Sequence, residues 1–416
     1  MSLRKPGQPK IALALAGGGP LGAIYEIGAL CALQDCLKGI RFTRLHHYVG
    51  VSAGAFVASA LANGIAPRQL CALFIEDRRT QAEAFDPACL LQPAWGEWAA
   101  RLGLLPQLLA NGAWYGLTRR SSWMRTLERL SPALPTGIFS NAQIDAQLTQ
   151  LFSRPGRSND FRRLKSRLTL VATHLDSGRA VPFGRAGWDH VPISKAVQAS
   201  AALPGLFPPV RIDGQDYVDG ALLKTLHASI ALDEGVDLML CLNPLVPFDA
   251  SVPEPATHRP WAFAEPIPRI AAGGLPAVLS QTLRSLIHSR LELGLKHYAQ
   301  KYPNTDIVLI EPDHRDPELY LANTFSYSQR RHLAEHAYQQ TRQLLRARHA
   351  DLGGKLAYHG IGFDVRALND PQRYLCAPRR PPRAVGLALN RLSAALDNLG
   401  RYTQAAQAVP AELAWL

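Results

Sequence analysis

Short apolar runs that end in glycine recur early in the chain, and a helical pattern follows each of them. Residues 11–16 are an uninterrupted apolar run, which is typical of a buried parallel strand. Residues 17–19 are all glycine, and Pro20 suits the first turn of a helix, where its missing N–H costs nothing. This segment therefore predicts a strand, a glycine turn and a helix in succession.

A second unit of the same kind follows. Tyr48 and Val49 belong to a short strand that leads into residues 50–54, which read Gly-Val-Ser-Ala-Gly. The small apolar residues after them predict a buried helix that stops at Asn63-Gly64. Two strand–turn–helix units in succession favour an α/β fold with a mainly parallel sheet.

Later segments extend this sheet. Apolar runs at 168–175 and 236–244 predict buried strands, and 306–312 predicts a late strand that joins them. Residues 210–220 predict a hairpin that turns at Asp213-Gly214, because this dipeptide tolerates positive φ at both turn positions.

The pattern changes near Val252, where a Pro-rich connector begins. Beyond it the apolar positions follow mostly helical spacing. We therefore expect a catalytic domain over residues 1–250, in which 65–160 form a cap or insertion, and an α-rich extension over 251–416.

Composition narrows the function classes. Of the 416 residues, 47% are hydrophobic and 19% charged, which is typical of a globular protein, and the net charge of +12 favours anionic partners such as phosphate or acidic lipid. No zinc-finger spacing or basic zipper is present, so no nucleic-acid partner is expected. The cysteines lack CxxC spacing, which predicts a reducing compartment and no bound metal. They are Cys31, Cys36, Cys71, Cys89, Cys241 and Cys376.

The basic N-terminus precedes an apolar run that is too short for a signal peptide or a membrane span. No run of spanning length occurs later. We expect a cytoplasmic protein that meets a membrane from one side at most.

Gly50-x-Ser52-x-Gly54 stands between a predicted strand and a predicted helix, the setting of a nucleophile elbow. The turn is so tight that the residues two before and two after the serine must lack bulk. The helix N-terminus behind Ser52 favours negative charge that develops nearby.

The first glycines admit two interpretations. Gly17-x-Gly19-x-x-Gly22 matches a dinucleotide-binding fingerprint, but that site needs an acidic residue about twenty positions later. The chain offers Arg41 there, which leaves a 2′-phosphate open, and continues directly to Ser52. We favour the alternative that N–H groups of the glycine turn hold an oxyanion above Ser52, where one such donor stabilises the transition state by about 3 kcal/mol.

A serine nucleophile needs a base, and His174, His190 and His227 have no distinctive setting. Asp219 closes the predicted hairpin and is followed by small residues on a tight turn. A free Asp, with a pKa of about 3.9, is a poor base in water. In a dry cleft, bonded directly to the serine, it can accept the proton.

Three motifs in this order resemble the patatin-like phospholipases: "GGGPLG" at 17–22, "GVSAG" at 50–54 and "DGA" at 219–221. The segment "ASAALPGLFPPV" at 199–210 resembles the family's sequence before its aspartate strand, and the likeness covers about residues 10–245. It implies a three-layer α/β/α fold and a Ser–Asp dyad without histidine. It also implies hydrolysis of acyl esters of phospholipids and other lipids, with no metal, organic cofactor or calcium requirement.

The chain departs from the family pattern at three places. Leu21 stands where the family usually has Arg or Lys, Ala16 stands where Asp is common, and the Asn-Pro that often follows the aspartate turn is missing. These changes leave the dyad and the glycine turn in place. They bear on head-group preference and on rate.

Two segments are candidates for contact with an anionic membrane surface, because Trp and Arg suit the headgroup level of a bilayer. An ordinary cap and a core helix with a solvated basic face are the alternatives. The first segment, 95–123, carries Trp95, Trp98, Trp114, Trp123, Arg101, Arg119 and Arg120, with Arg125 just beyond it. The second, a helix near 278–301, carries Arg284, Arg290, Lys296 and Lys301.

The sequence thus predicts a serine lipid acyl hydrolase, with a transacylase or a non-catalytic lipid-binding scaffold as alternatives. The candidate residues are Ser52 and Asp219 as catalytic pair, Gly17, Gly18, Gly19 and Gly22 in the oxyanion loop, Gly50 and Gly54 at the elbow, and Gly220 and Ala221 at the aspartate turn.

Overall fold

An eight-stranded mixed sheet forms the centre of the computed structural model, which describes residues 9–76, 92–110, 131–251, 269–321 and 329–376. Its strands run in the order β6-β7-β4-β3-β1-β8-β9, with β5 paired to β4. A two-stranded ribbon of β2 and β10 lies apart from this sheet. The strands are β1 (Ile11–Leu15), β2 (Leu37–Lys38), β3 (His47–Val51), β4 (Arg167–His174), β5 (Arg179–Phe183), β6 (Val210–Ile212), β7 (Gln215–Asp219), β8 (Leu238–Leu242), β9 (Asp306–Ile310) and β10 (Gly362–Phe363).

Helices flank the sheet, as expected for an α/β/α arrangement. The α-helices include α1 (Gly19–Cys36), α2 (Ala53–Ala62), α3 (Pro67–Leu70), α4 (Trp95–Leu102), α5 (Ala142–Phe152), α6 (Ile193–Ser200), α7 (Ser229–Leu232), α8 (Gly274–Lys301), α9 (Pro317–Leu321), α10 (Arg330–Ala347), α11 (His349–Tyr358) and α12 (Val365–Asn369). The predicted fold class, a mainly parallel sheet between helices with a helical C-terminal region, is confirmed.

The middle of the sheet is parallel and fully buried. Every residue of β1, β3 and β8 is buried, which explains why these strands read as continuous apolar runs rather than alternating ones. In the parallel register Leu15 lies beside Gly50 on one side and Leu242 on the other. The glycine turn after β1 and the elbow after β3 therefore open at the same edge of the sheet.

The predicted hairpin brings Asp219 to this edge. Strands β6 and β7 pair antiparallel around Asp213-Gly214, both with positive φ. Asp219 lies opposite Ala172 of β4, and the neighbouring Val171 pairs with Val51 of β3. Asp219 and Ser52 therefore reach the same level of the sheet, one strand apart.

Residues beyond 250 contribute to the same sheet. Strand β9 pairs in parallel with β8 along its whole length, which confirms the predicted late strand. Helix α10 packs on α1 so closely that a Cβ on Gly28 would lie 2.5 Å from the carbonyl oxygen of Ala334. Contacts divide the chain into compact units of residues 1–375 and 376–416. The predicted boundary near residue 250, between a catalytic domain and an α-rich extension, stays a prediction.

None of the helices in the described ranges has the length and apolarity needed to cross a bilayer. The cysteines of these ranges (31, 36, 71, 241 and 376) are buried.

Candidate active site

The elbow between β3 and α2 holds Ser52 in a conformation that L-residues rarely adopt, with φ of 54° and ψ of −121°. A Cβ on Gly54 would lie 2.4 Å from the carbonyl oxygen of Leu15, and one on Gly50 would lie 2.6 Å from the Cα of Ala55. Glycine is therefore required on both sides of Ser52. Such strain at a single residue is common at active sites and persists only where the surroundings impose it.

Ser200 fixes the elbow from behind. The Ser52 N–H donates to the Ser200 Oγ at 2.8 Å, and that hydroxyl donates to the carbonyl oxygen of Val171 at 2.6 Å. All three residues are buried, so the elbow is tied to β4 through one side chain. Sequence analysis assigned no role to Ser200, and the one indication of its importance was its position in the segment 199–210.

The Asp219 carboxyl and the Ser52 side chain line the same cavity, and hydrogen bonding from Ser52 acts to lower the pKa of that carboxyl. Its Oδ1 also accepts the Ala221 N–H at 2.8 Å, and its backbone carbonyl accepts the Thr173 hydroxyl at 3.1 Å. Only 2% of Asp219 is exposed. Burial raises the pKa of this carboxyl to about 6, although the two hydrogen bonds to it act in the opposite direction.

The glycine turn lies against this pair. A Cβ on Gly17 would lie 2.9 Å from the Ala221 Cβ and 3.1 Å from the Ser52 Cβ, so only glycine fits there. Gly19 has a φ of 60°. No hydrogen bond inside the described ranges engages the N–H groups of residues 17–19. These amides are therefore free to donate to an oxygen above Ser52.

The other predicted glycines serve the backbone around these turns. The Gly22 N–H donates to the Gly18 carbonyl oxygen at 2.9 Å, in the first turn of α1. A Cβ on Gly220 would lie 2.2 Å from the carbonyl oxygen of Val171, which explains the glycine after Asp219.

A cavity of about 280 Å³ opens above these turns, and most of its surface is apolar. We call the part formed by Gly18, Gly19, Ser52, Asp219 and Ala221 the pocket floor. We call the face of α8 formed by Ser280, Leu283, Arg284 and Ile287 the pocket wall.

Arg284 of the pocket wall is a half-buried cation in an apolar setting. Burial lowers the pKa of its guanidinium, whose Nη1 donates to the Val246 carbonyl oxygen at 3.3 Å. The guanidinium also lies 5.6 Å from the centre of the Tyr320 ring. Within the described part of the chain no carboxylate pairs with it. We expected Arg284 on an outer basic face, but the fold turns it into the pocket.

The other basic residues predicted on this helix do face outward. Arg290 is exposed and bonds the Leu222 carbonyl oxygen at 3.3 Å, and Lys301 pairs with Asp233 at 2.9 Å. Lys296 is exposed.

The candidate histidines have other partners. The His174 ring bonds Ser177, and the His190 ring bonds Asp213 at 2.9 Å on the surface. His227 is buried beside the Gly220 carbonyl oxygen at 3.3 Å, and burial lowers its pKa to about 4. No histidine lines the cavity in the part of the chain described here.

The predicted cap is described only in part. Phe74 and Ile144 line the cavity from within residues 65–160. Trp95 is 68% exposed, and the Trp98 ring N–H donates to the Gly137 carbonyl oxygen at 3.2 Å. The other residues of this predicted membrane segment lie outside the described residues. They are the two Trp at 114 and 123 and the three Arg at 119, 120 and 125.

Comparison with known proteins gives one family and several distant structures. The patatin-like phospholipase family matches residues 13–232, more than half of the chain. VipD from Legionella pneumophila is 18% identical, with 82% of this chain and 67% of VipD covered and a TM-score of 0.35. The type III effector ExoU is 16% identical, with 82% and 54% covered and a TM-score of 0.32. ExoU from Pseudomonas aeruginosa in complex with SpcU is 15% identical, with 82% and 53% covered and a TM-score of 0.30. The chain thus spans about half the length of ExoU.

Proposed function

Because this chain belongs to the patatin-like phospholipase family, we propose that it hydrolyses carboxylic esters of lipids through a dyad of Ser52 and Asp219. The observation that carries the proposal is that the Ser52 side chain and the buried Asp219 carboxyl meet at the bottom of one apolar cavity, where Ser52 acts to lower the pKa of that carboxyl. A nucleophile bonded directly to its base is the arrangement that covalent ester hydrolysis requires.

In the first half of the reaction, the Ser52 Oγ attacks the ester carbonyl carbon while its proton passes to Asp219. The carbonyl oxygen becomes an oxyanion, which accepts hydrogen bonds from the free N–H groups of residues 17–19. The tetrahedral intermediate then collapses, and Asp219 returns the proton to the departing alcohol oxygen. The fatty acyl group remains on Ser52 as an ester.

In the second half, a water molecule gives a proton to Asp219 and attacks the acyl carbon. The fatty acid leaves as the proton passes back to the Ser52 oxygen. A carboxyl with a pKa of about 6 is mostly ionised at neutral pH, yet it is a stronger base than an ordinary aspartate.

The pocket wall supports a phospholipid as the substrate. Leu283 and Ile287 offer apolar surface to an acyl chain, and Arg284 carries a half-buried charge without a carboxylate partner in the described ranges. A cation that is partly removed from water is costly unless an anion pairs with it. We propose that the phosphate of the head group supplies this anion. Arg284 would then provide the cation that the glycine turn lacks at Leu21.

Labelling with a fluorophosphonate probe tests the dyad. Wild type is expected to be labelled, and Ser52→Ala is expected to lose all labelling while its circular dichroism spectrum stays unchanged. Labelling of Ser52→Ala at the wild-type rate would contradict the proposal. A wild type that binds lipid but resists the probe would favour the non-catalytic scaffold.

Transfer to another acceptor uses the same acyl-enzyme. Product analysis with added acceptor alcohols separates the two reactions, since a transacylase forms new esters at the expense of free fatty acid.

We also propose peripheral contact with an anionic membrane. Leu275, Leu279 and Leu286 of α8 are exposed, and the chain carries a net charge of +12. Cosedimentation with acidic vesicles tests this: a Leu279→Gln, Leu286→Gln double variant should bind less than wild type, and equal binding would remove the proposal.

A further inference from the structure

Two histidines and a glutamate meet outside the cavity described above. His288 lies on α8, and Glu311 and His314 lie just beyond the end of β9. One ligand atom from each residue lies within 4.8 Å of the other two. None of the three lines the cavity that contains Ser52. The cluster is therefore a separate feature, made by the approach of α8 to the edge of the sheet.

The His288 ring has one free nitrogen and one oriented nitrogen. Its Nδ1 is buried, and within the described ranges no hydrogen-bonding group reaches it. Its Nε2 lies 3.4 Å from the Oε1 of Glu292, one turn later on the same helix. Metal-binding histidines almost always give their second ring N–H to a carboxylate or carbonyl, and Glu292 is the carboxylate within reach of this Nε2. A donor to Glu292 leaves Nδ1 as the neutral, electron-pair nitrogen that a metal needs.

The other two residues are also held by neighbours. The Asn243 side-chain amide donates to the Oε2 of Glu311 at 3.3 Å, which leaves Oε1 on the side of His314, 4.0 Å from its Nε2. The backbone carbonyl of His314 accepts the Asp249 N–H at 2.8 Å, which fixes the turn. The rings of His288 and His314 meet edge to face with centroids 4.7 Å apart.

We propose that His288, Glu311 and His314 bind one Zn²⁺ ion, with water in the fourth position. Two imidazoles and one carboxylate form a ligand set that zinc accepts readily. Zinc bonds of about 2.0–2.2 Å place tetrahedral ligands about 3.4 Å apart, so the cluster must contract. His314, whose side chain is 37% exposed, has the freedom to rotate inward.

The site would fasten the pocket wall to the sheet. His288 directly follows Ile287 of the pocket wall, and the other two ligands extend from β9. Glu311 is also bonded to Asn243, whose neighbour Pro244 packs on the glycine turn, since a Cβ on Gly18 would lie 2.8 Å from the Pro244 Cγ. Zinc is thus expected to stabilise the fold without taking part in ester cleavage.

Isothermal titration with ZnCl₂ tests the proposal on full-length protein that carries no histidine tag and has been treated with a chelator. Wild type is expected to bind one equivalent and to unfold at a higher temperature when zinc is present. His288→Gln and Glu311→Gln should each lose this binding. Glu292→Gln, which removes the orienting partner, should bind about tenfold more weakly.

His332→Gln is the matched control, because His332 is exposed and also pairs with a glutamate, Glu318, at 3.0 Å, but lies outside the cluster. It should bind zinc as wild type does. Cobalt gives a second readout, since Co²⁺ in a site of this kind absorbs visible light, and His288→Gln should abolish the band. Failure of wild type to bind zinc would overturn the proposal, as would equal loss in His332→Gln or unchanged binding in His288→Gln.

Discussion

A Cβ atom added to Gly54, beside the pocket floor, would lie 2.4 Å from the carbonyl oxygen of Leu15, whereas one added to Gly294 on α8 would meet nothing within 4 Å. The same contrast holds for side chains. Ser52 and Asp219 of the floor are buried, while α8 exposes Leu279 and Leu286, neither of which lines the cavity. Backbone atoms pack closely beside the pocket floor at Gly54. The helix that carries the pocket wall has open space around Gly294.

This difference separates two requirements. In the proposed mechanism the floor must hold atoms at fixed positions for proton transfer, and close backbone packing provides that rigidity. The wall is proposed to accept a lipid, and side chains on a helix surface can change without disturbing the sheet. We therefore expect substitutions in the floor to affect rate and folding strongly. Substitutions in the wall should affect the choice of substrate.

Replacement of the proposed base should have the largest effect. Asp219→Asn is expected to lower kcat by about 10³–10⁴-fold, because the amide cannot accept the serine proton. In the wild type, kcat/KM should fall about tenfold per pH unit below the Asp219 pKa of about 6, and this limb should be missing from the residual activity of the variant.

Thermal unfolding sharpens the same test. Because the folded-state pKa of Asp219 is raised from 3.8 to about 6, folding loses stability as pH rises through this range. The loss is on the order of 3 kcal/mol and is fully present above pH 6. Asp219→Asn removes it, so the variant should be more stable than wild type at pH 8 and gain little at pH 4. An equal gain at both pH values would contradict the burial argument.

A pair of glycine substitutions compares the two regions directly. Gly54→Ala should destabilise the protein by about 3 kcal/mol or more, since backbone atoms must move. Gly294→Ala, inside α8 with free space around it, should stabilise by about 1 kcal/mol through helix propensity. Urea unfolding of both variants measures the change in the free energy of unfolding. A similar loss at the two positions would contradict the difference between the two regions.

Arg284→Gln should change substrate preference. We expect kcat/KM for a lysophospholipid to fall about 10–100-fold through loss of a charge-assisted bond to phosphate. Hydrolysis of a neutral monoacylglycerol should not change. Arg290→Gln, on the same helix and exposed, is the control and should leave both rates unchanged. An equal loss on both lipids would show that Arg284 supports the fold rather than the head group.

The turns of the floor could be predicted because their requirements are local. Gly50 and Gly54 beside the floor, and the Asp213-Gly214 pair at the far end of β7, each follow from the conformation of a few adjacent residues, and the structure has these turns as predicted. Placing Asp219 beside Ser52 needed more, since they meet only through the register of β4, and the family resemblance supplied the link. Their catalytic roles stay predictions.

The wall and the supports of the floor could not be predicted in this way. Helical spacing showed that α8 is a helix but not which face meets the cavity, so Arg284 was expected on the outside. Ser200 reaches the elbow from α6 through tertiary packing, and no local pattern marks such a contact.

The pairing of β9 with β8 has a consequence for synthesis. When the ribosome has released residues 1–250, Ser52, Asp219 and most of the sheet are already available to fold, yet β8 still presents an open edge. More than fifty further residues must emerge before β9 can cover it. Until then the nascent chain carries an apolar strand able to pair with another copy. A fragment cut at residue 250 is therefore expected to aggregate through this edge.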